Sequence, residues 1–191
     1  MPEYISRKKF VPFYAILATI GFTVYQLHHQ GRQWICSCGR VRLWNGNVWS
    51  AENSQQLLDP YSLTHVLHGM IFYALFAWLF PRWNFARRLS LAVAFEALWE
   101  IVENTETIIN RYRGVTAAIG YQGDTILNSL GDILCFGVGF AAARRLGAVG
   151  GVVVFVATEV LLVLWIKDSL LLNVIMLLYP SQAIRSWQIA H

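Results

Sequence analysis

The chain has 191 residues, enough for one domain, but its composition separates it from soluble proteins. Hydrophobic residues make up 56% and charged residues 14%, against roughly 25% charged in soluble domains. These values exclude an ordinary soluble domain and indicate an integral membrane protein. The net charge of +4 does not predict nucleic-acid binding, because basic residues are expected at the ends of membrane spans.

The first apolar segment, residues 10–28, is long enough to cross a bilayer core of about 30 Å as a helix. It follows the basic residues Arg7, Lys8 and Lys9, as the apolar region of a signal peptide does. No small-residue cleavage site follows it, so we predict that it stays in the protein as an anchor.

A polar loop, residues 29–60, is predicted after this span. It contains a Cys-x-Cys pair, Cys36 and Cys38, which suits disulfide formation in an oxidising compartment and leaves a redox role open. His28, at the end of the span, is expected to be interfacial. Three tryptophans that suit the headgroup level also lie in the loop: Trp34, Trp44 and Trp49.

Four more apolar segments are long enough to span the bilayer, namely residues 61–80, 89–109, 124–143 and 148–166. We therefore expect an all-α fold, a five-span helical bundle in one multi-pass membrane domain. Gly147 and Gly151 have small-xxx-small spacing, which predicts close helix packing at the fifth span. The apolar run 170–179 is too short to span, ends before Pro180, and is predicted to be an interfacial helix.

Arginine clusters predict the orientation. A cytoplasmic amino terminus places five arginines in two short inner loops, as the positive-inside rule favours. The prediction is a bacterial inner (cell) membrane protein whose carboxy terminus and residues 29–60 are periplasmic. The five arginines are Arg82, Arg87, Arg88, Arg144 and Arg145.

Polar and charged residues recur at helical spacing inside three of the predicted spans. Each set shares one helix face, because residues three, four, seven or eight apart are neighbours on a helix. The sets are His65 and His68 in the second span, Glu96, Glu100 and Glu103 in the third, and Asp124, Asn128 and Asp132 in the fourth.

Counting about 1.5 Å per residue puts most of these groups roughly 6 to 14 Å below the outer edge of the bilayer, with Glu159 able to join them. Each charged acid at mid-bilayer costs about 2.5 to 3.5 kcal/mol, so the acids need neutralisation. Protonation, histidine, Arg111 and Arg113, a bound cation or water in a cavity could each supply it.

Three interpretations of this cluster stay open. A divalent metal such as zinc, iron or manganese would suit two imidazoles one helical turn apart with carboxylates from facing helices. The alternatives are an acid/base pair of His65 or His68 with Glu103 or Asp132, and a polar network that fixes helix packing. The metal ligands would be His65, His68, Glu100, Glu103 and Asp124, and the catalytic candidates are His65, His68, Glu103, Asp132 and Asn128.

Several sequence strings resemble a known family. Asp-Pro-Tyr-Ser-Leu-Thr-His-Val-Leu-His-Gly, Trp-Glu-Ile-Val-Glu-Asn and Gly-Tyr-Gln-Gly-Asp-Thr-Ile-Leu-Asn-Ser-Leu-Gly-Asp are similar to an uncharacterised family of alphaproteobacterial inner-membrane proteins. The order Asp59, His65, Glu96 or Glu100, then Asp124-xxx-Asn128-xx-Gly131 also resembles the VanZ-like membrane proteins, which are associated with glycopeptide resistance. The first resemblance implies the membrane class and supplies no reaction.

Two classes of function follow from these patterns. The first is a metal-dependent enzyme that acts on a lipid-linked or amphiphilic substrate at the outer leaflet by hydrolysis or group transfer. The second is a small transporter or accessory membrane subunit that uses the polar network to bind a proton, a cation or a partner helix. Membrane lipid is a predicted partner in both cases, and nucleic acid is not.

Overall fold

The computed structural model describes residues 2–116, 118 and 120–190, with side chains from residue 10 onward. No strand occurs in these ranges, apart from a single β-bridge between Trp44 and Leu58, so the all-α expectation is confirmed. The seven helices in this part of the chain are α1 Pro2–His29, α2 Ser62–Leu79, α3 Phe85–Glu103, α4 Glu106–Val115, α5 Ile126–Ile166, α6 Leu170–Leu178 and α7 Gln182–Ile189.

Three of the described helices are long and apolar enough to cross a membrane, so the expected count of five is wrong. They are Phe10–His29 within α1, the whole of α2 and the whole of α5. The expected span 89–109 is not one helix, because α3 ends at Glu103 and α4 begins separately at Glu106. Helix α3 also carries two arginines and three glutamates in its 19 residues, a higher density of charged residues than in these three apolar segments.

Helix α5 contains both of the expected spans 124–143 and 148–166. Gly147 interrupts it with φ 67° and ψ −175°, a conformation that glycine adopts without strain. Near the start of α5, Gly131 lies against Leu57, and just beyond its end Asp168 lies against Tyr61. Both ends of α5 therefore lie beside the start of α2, and the chain reverses at Gly147.

Polar side chains define where several helices begin. Asn84 accepts a hydrogen bond from the Arg87 amide at the start of α3, and Thr125 accepts one from the Asn128 amide at the start of α5. Thr105 and Ser169 cap α4 and α6 in the same way. Such caps satisfy amides that have no partner within the helix, so these residues stop each helix from extending backwards.

The closest helix packing joins α2 to α5 through glycines. A Cβ on Gly69 would overlap the carbonyl oxygen of Phe136, and a Cβ on Gly139 would overlap that of Val66. Nothing lies within 4 Å of a Cβ built on Gly147, so the prediction of close packing at that position is wrong. The backbones of α2 and α5 touch because Gly69 and Gly139 have no side chain.

An aromatic core holds α2, α3 and the first half of α5 together, while α1 packs mainly on α3. Its buried residues come from all three helices and fix how far each is rotated about its axis. They are Phe76, Ala92, Val93, Ala97, Ile133, Phe136 and Phe140.

The loop between α1 and α2 is irregular, and it covers the beginning of α5. The Leu57 carbonyl lies against Gly131, and the Gln56 carbonyl accepts a hydrogen bond from the Asn128 side chain. A disulfide joins Cys36 to Cys38 within the loop. The loop thereby brings Asp59 into the protein at the same end of the helices as Asp124.

The carboxy-terminal region forms two short helices, of which only α6 was expected from the sequence. Glu159 accepts hydrogen bonds from the amides of Leu170 and Leu171 at the start of α6, and the Arg111 side chain donates to the Leu177 carbonyl at its end. Helix α6 is therefore held at both ends by charged side chains from other helices.

Candidate functional site

Three helices bring their polar faces together near the start of α2. Helix α2 contributes His65 and His68 from adjacent turns, and the first half of α5 contributes Asp132. Helix α3 contributes Glu96, Glu100 and Glu103 from one face. The structure therefore brings these side chains of α2, α3 and α5 together in one cluster.

His65 lies at the centre of this cluster and is buried. Its Nδ1 lies 2.5 Å from Oε1 of Glu96 and 3.4 Å from Oε1 of Glu100, while its Nε2 lies 3.9 Å from Oδ2 of Asp132. With Glu96 ionised, its carboxylate can only accept, and Nδ1 of His65 then carries the proton and donates it to Glu96. One imidazole thus contacts acids from two different helices.

His68 lies one turn further along α2 and is less buried than His65. Its Nδ1 is 3.4 Å from Oε2 of Glu96, so Glu96 bridges the two histidines. The His68 ring stands edge-on to Trp99, with 6.4 Å between ring centroids. Trp99 and Glu96 together hold the His68 ring between α2 and α3.

Two acids of the cluster have buried oxygens without a hydrogen-bond partner. Both carboxyl oxygens of Glu100 and Oε2 of Glu103 are in this state, and Glu100 is fully buried. Asp132, in contrast, accepts a 2.6 Å hydrogen bond from the Ser62 hydroxyl. A buried polar atom without a partner is costly, so these glutamates need a cation or a proton.

The cluster contains two sets of possible metal ligands that share His65. His65, His68 and Glu96 each offer one ligand atom within 4.8 Å of the others, and so do His65, Glu100 and Glu103. Imidazole and carboxylate are the donors that zinc, iron and manganese accept in proteins. The chemistry of the donor set therefore fits a divalent transition metal.

The other two predicted site residues lie at the edge of the cluster. Asp124 accepts hydrogen bonds from the Asn104 amide and the Tyr121 hydroxyl, and it belongs to neither ligand set. Asn128 donates to the Gln56 carbonyl and holds the loop on α5. Asn128 therefore has a positioning role in the described contacts.

Three charged residues that could have joined the cluster contact other parts of the chain. Arg111 donates to the Leu177 carbonyl, Arg113 donates to the Tyr121 carbonyl, and Glu159 caps α6. These contacts are made to the backbone. Arg111 and Arg113 consequently make no ion pair with the acids within the described residues.

Glu96 lies on the predicted helix face but was not among the predicted site residues. Its signal was the i, i+4 relation to Glu100, while its partner His65 lies 31 residues away on another helix. Asp168 and Tyr61 were also missed, and the Tyr61 hydroxyl donates to the Asp168 carboxylate across a separation of 107 residues. Partners this far apart in sequence leave no local pattern.

A cavity of about 440 Å³, which we call the site cavity, has the cluster in its wall. One part of the wall is polar and includes His65, His68, Glu103 and Asp132. Another part is apolar and includes side chains on the outer surface of the protein, so the cavity opens onto an apolar exterior. These apolar residues are Phe95, Leu98, Val102 and Val174, each at least 37% exposed.

Asp59 lies beside this cavity, in the loop just before α2. Its carboxylate accepts hydrogen bonds from the amides of Ser54 and Tyr61. Burial and the nearby Asp124 carboxylate raise the pKa of Asp59 to about 6. Asp59 therefore holds its proton more tightly than an aspartic acid in water does.

His28 and Cys135 lie outside the cluster. His28 is exposed and packs on Trp34, with 5.6 Å between ring centroids. Cys135 is a partly buried free cysteine on α5. Neither residue belongs to a candidate ligand set in the described part of the chain.

Comparison with known proteins shows strong likeness to one family. The family described as Protein of unknown function (DUF2585) matches residues 27–190. A UPF0314 protein of Paracoccus denitrificans is 42% identical over 189 residues, which cover 99% of this chain and 98% of the relative. A UPF0314 protein of Novosphingobium aromaticivorans is 48% identical over 83% of this chain and 82% of its own length.

A further relative is the UPF0314 protein R03235 of Rhizobium meliloti, which is 43% identical over 91% of this chain and 88% of its own length. No solved structure matches the chain. The expected resemblance to an uncharacterised alphaproteobacterial family is confirmed.

Proposed function

This chain belongs to the DUF2585 family, and we propose that its buried histidine and glutamate cluster is a divalent-metal centre of an enzyme that acts on an amphiphilic substrate. The observation that carries the proposal is the excess of buried acids around His65. Glu96, Glu100 and Asp132 are all buried, and their ion-pair contacts within the described chain are to two histidines. A divalent cation would balance this charge.

The geometry around His65 also supports a metal. In metal sites, a ligating histidine commonly donates its second ring N–H to a carboxylate, which fixes the ring and makes it a better ligand. The 2.5 Å contact between Nδ1 of His65 and Oε1 of Glu96 has this form. Glu100 and Glu103 would then offer ligand oxygens that lack another partner.

The site cavity supports an amphiphilic substrate. Its polar wall carries the ligand candidates His65, His68 and Glu103, and its apolar wall contains exposed residues such as Leu98 and Val174. A lipid-linked molecule could enter between these apolar side chains with its reactive group towards His65. A divalent metal with an open coordination position would activate water or polarise a carbonyl or phosphoryl group, which suits hydrolysis or group transfer.

The arginine clusters around residues 82–88 and 144–145 favour a site in the outer half of the bacterial inner membrane. The reacting substrate would then come from the outer leaflet. The likeness of residues 59–139 to VanZ-like proteins stays a prediction and assigns no role to any residue here.

Metal analysis of the full chain tests the proposal. Protein purified in detergent, incubated with zinc or manganese and dialysed, is expected to retain about one ion per chain. His65→Ala and Glu100→Gln should each lose the ion, because each removes a ligand candidate. His28→Ala is the matched control, since this exposed histidine lies outside the cluster. A metal-free wild type, or an ion that survives in His65→Ala, would overturn the metal centre.

A second candidate function is metal-free proton binding, for acid/base chemistry or transport. The short contact between His65 and Glu96 favours it, because an imidazole paired with a carboxylate is a common general base. In that case the wild type binds no metal, and His65→Ala changes the pH dependence of thermal stability near neutrality. The same protein preparation therefore separates the two functions.

A further inference from the structure

A second cavity of about 440 Å³ adjoins the site cavity and is lined mainly by polar residues. We call it the amide cavity, because four side-chain amides contribute to its wall. The two cavities share Asn53, Ala118, Tyr121 and Asp124 in their walls, so they are adjacent. The amides are those of Gln33, Asn53, Gln55 and Gln122.

Two buried polar atoms in the wall of the amide cavity have no hydrogen-bond partner. One is the Nε donor of Arg32 and the other is the Oδ1 acceptor of Asn53. Buried polar atoms are satisfied in most proteins, so an unpartnered donor and an unpartnered acceptor beside one cavity would suit a ligand that both accepts and donates once binding opens access to them. Hydroxyl groups do both.

The charge of the wall argues against an anionic ligand. Arg32 is the one basic residue among the described lining residues, and its Nη1 already donates to the Gln122 carbonyl at 2.6 Å. The Asp124 carboxylate lies in the same wall and would repel an anion. Ser37 and Ser50 add hydroxyl groups, and Trp49 adds an aromatic ring. An uncharged ligand rich in hydroxyls fits this lining.

We propose that the amide cavity binds the sugar-like, hydroxyl-rich headgroup of an amphiphile whose apolar chain lies along the site cavity. This proposal rests on the proposed function, because it takes the site cavity to be the place where an amphiphile reacts. The shared lining residues Asn53, Tyr121 and Asp124 would lie where the headgroup and the apolar chain of this amphiphile meet. The substrate class is accordingly a glycolipid or another lipid-linked polyol.

Binding of a short glycoside tests the proposal. The full chain, held in amphipol without sugar-based detergent, would be titrated with n-octyl β-D-glucoside below its micellar concentration while intrinsic tryptophan fluorescence is followed. Saturable binding is expected, tighter than that of 1-octanol or octyl phosphate. Binding of 1-octanol measures the contribution of the alkyl chain alone, and binding of octyl phosphate measures the effect of an anionic headgroup. Tighter binding of either one would overturn the proposal.

Two variants locate the binding. Asn53→Ala removes the unpartnered acceptor, and Arg32→Lys removes Nε while keeping the positive charge. Each is expected to weaken glucoside binding about three- to tenfold, the usual effect of one hydrogen bond. Asn110→Ala, which alters an exposed asparagine on α4, is the control and should bind like the wild type. Wild-type affinity in both cavity variants would refute the headgroup site.

One further variant separates this proposal from the metal centre. His65→Ala alters the proposed metal ligand but no lining residue of the amide cavity. Glucoside binding should therefore persist in His65→Ala even where the ion is lost. Loss of metal with retained glucoside binding supports both proposals, and a metal-free wild type that binds glucoside refutes the metal centre alone.

Discussion

Asp168 is a buried carboxyl group in the short connection between α5 and α6. It accepts hydrogen bonds from the Tyr61 hydroxyl, the Asn173 amide and the Ser169 backbone amide. Burial nevertheless outweighs these bonds and raises its pKa from 3.8 to about 7, with a further contribution from Glu159. The connection that places α6 beside the site cavity is therefore sensitive to pH.

Replacement of Asp168 by asparagine should remove this sensitivity. A raised pKa in the folded protein means that its stabilising effect is complete below pH 3.8 and is lost as the pH rises through about 7. Asp168→Asn should therefore gain stability relative to the wild type between about pH 5 and about pH 8, by a few kcal/mol at most. Thermal unfolding in detergent across this range measures the effect.

The exposed acid Glu106 provides the control for Asp168. Glu106→Gln should follow the wild-type pH profile within experimental error. A stability difference between Asp168→Asn and the wild type that stays constant across this pH range would contradict the assignment to Asp168.

At individual positions, the helical spacing predicted which residues form the site better than it predicted which of them contact one another. The spacing of His65 and His68, and of Glu100 and Glu103, correctly put each pair on one face. It could not show that Glu96, rather than Glu103 or Asp132, accepts the hydrogen bond from His65. That choice depends on the rotation and axial offset between α2 and α3, which are set by packing in the aromatic core.

At the scale of whole helices, the contact between α2 and α5 depends on two glycines. Val66 and Phe136 present their carbonyl oxygens to Gly139 and Gly69 respectively, so each helix has one glycine facing the backbone of the other. Any side chain at these positions would push α2 away from α5. Because His65 is on α2 and Asp132 is on α5, such a shift would also widen the candidate site.

Gly139→Ala is expected to destabilise the protein by roughly 1 to 3 kcal/mol, the usual cost of overpacking a core. Gly137→Ala is a matched control in the same helix, because nothing lies within 4 Å of its added Cβ. The control should keep or gain stability, by up to about 1 kcal/mol from helix propensity. Thermal unfolding that ranks the two variants equally would disprove the glycine contact.

Apolar length predicts most of the helices, but it misjudges two boundaries. The segment 89–109 is apolar enough to suggest one helix, although Asn104 and Thr105 provide a helix end and a new cap. The segments 124–143 and 148–166 suggest two separate helices, whereas their helical stretches meet at Gly147 without a loop, within the 41 residues of α5. Length and hydropathy do not report caps or a reversal, because both depend on the backbone of a few residues.

Across the whole molecule, the connecting loops lie in two groups, one at each end of the helices. The Arg32 side chain contacts Gln122, Tyr61 contacts Asp168, and Arg185 contacts Thr116, so three connecting regions meet at one end. At the other end, the Arg144 side chain lies over the Phe85 ring. The residues that form α6 and α7 therefore lie at the same end as the loop between α1 and α2.

This arrangement predicts that residue 190 and the loop 29–60 are on the same side of the membrane. The arginines near residues 82–88 and 144–145 predict that this side is the periplasm. Alkaline phosphatase fused after Ala190 should accordingly be active. Fluorescence from green fluorescent protein fused at the same position would contradict the predicted orientation.

Interleaved helix packing has a consequence for biogenesis. Helix α1 packs mainly on α3, and α2 packs mainly on α5, so neither pair is formed by neighbours in the chain. At synthesis rates of about 5 to 20 residues per second, α2 waits several seconds for its partner. Throughout that delay its glycine face lacks α5, and His65 lacks Asp132. We expect the nascent chain to stay bound to the insertion machinery until residue 140 has entered the membrane, because α2 then meets its partner in α5.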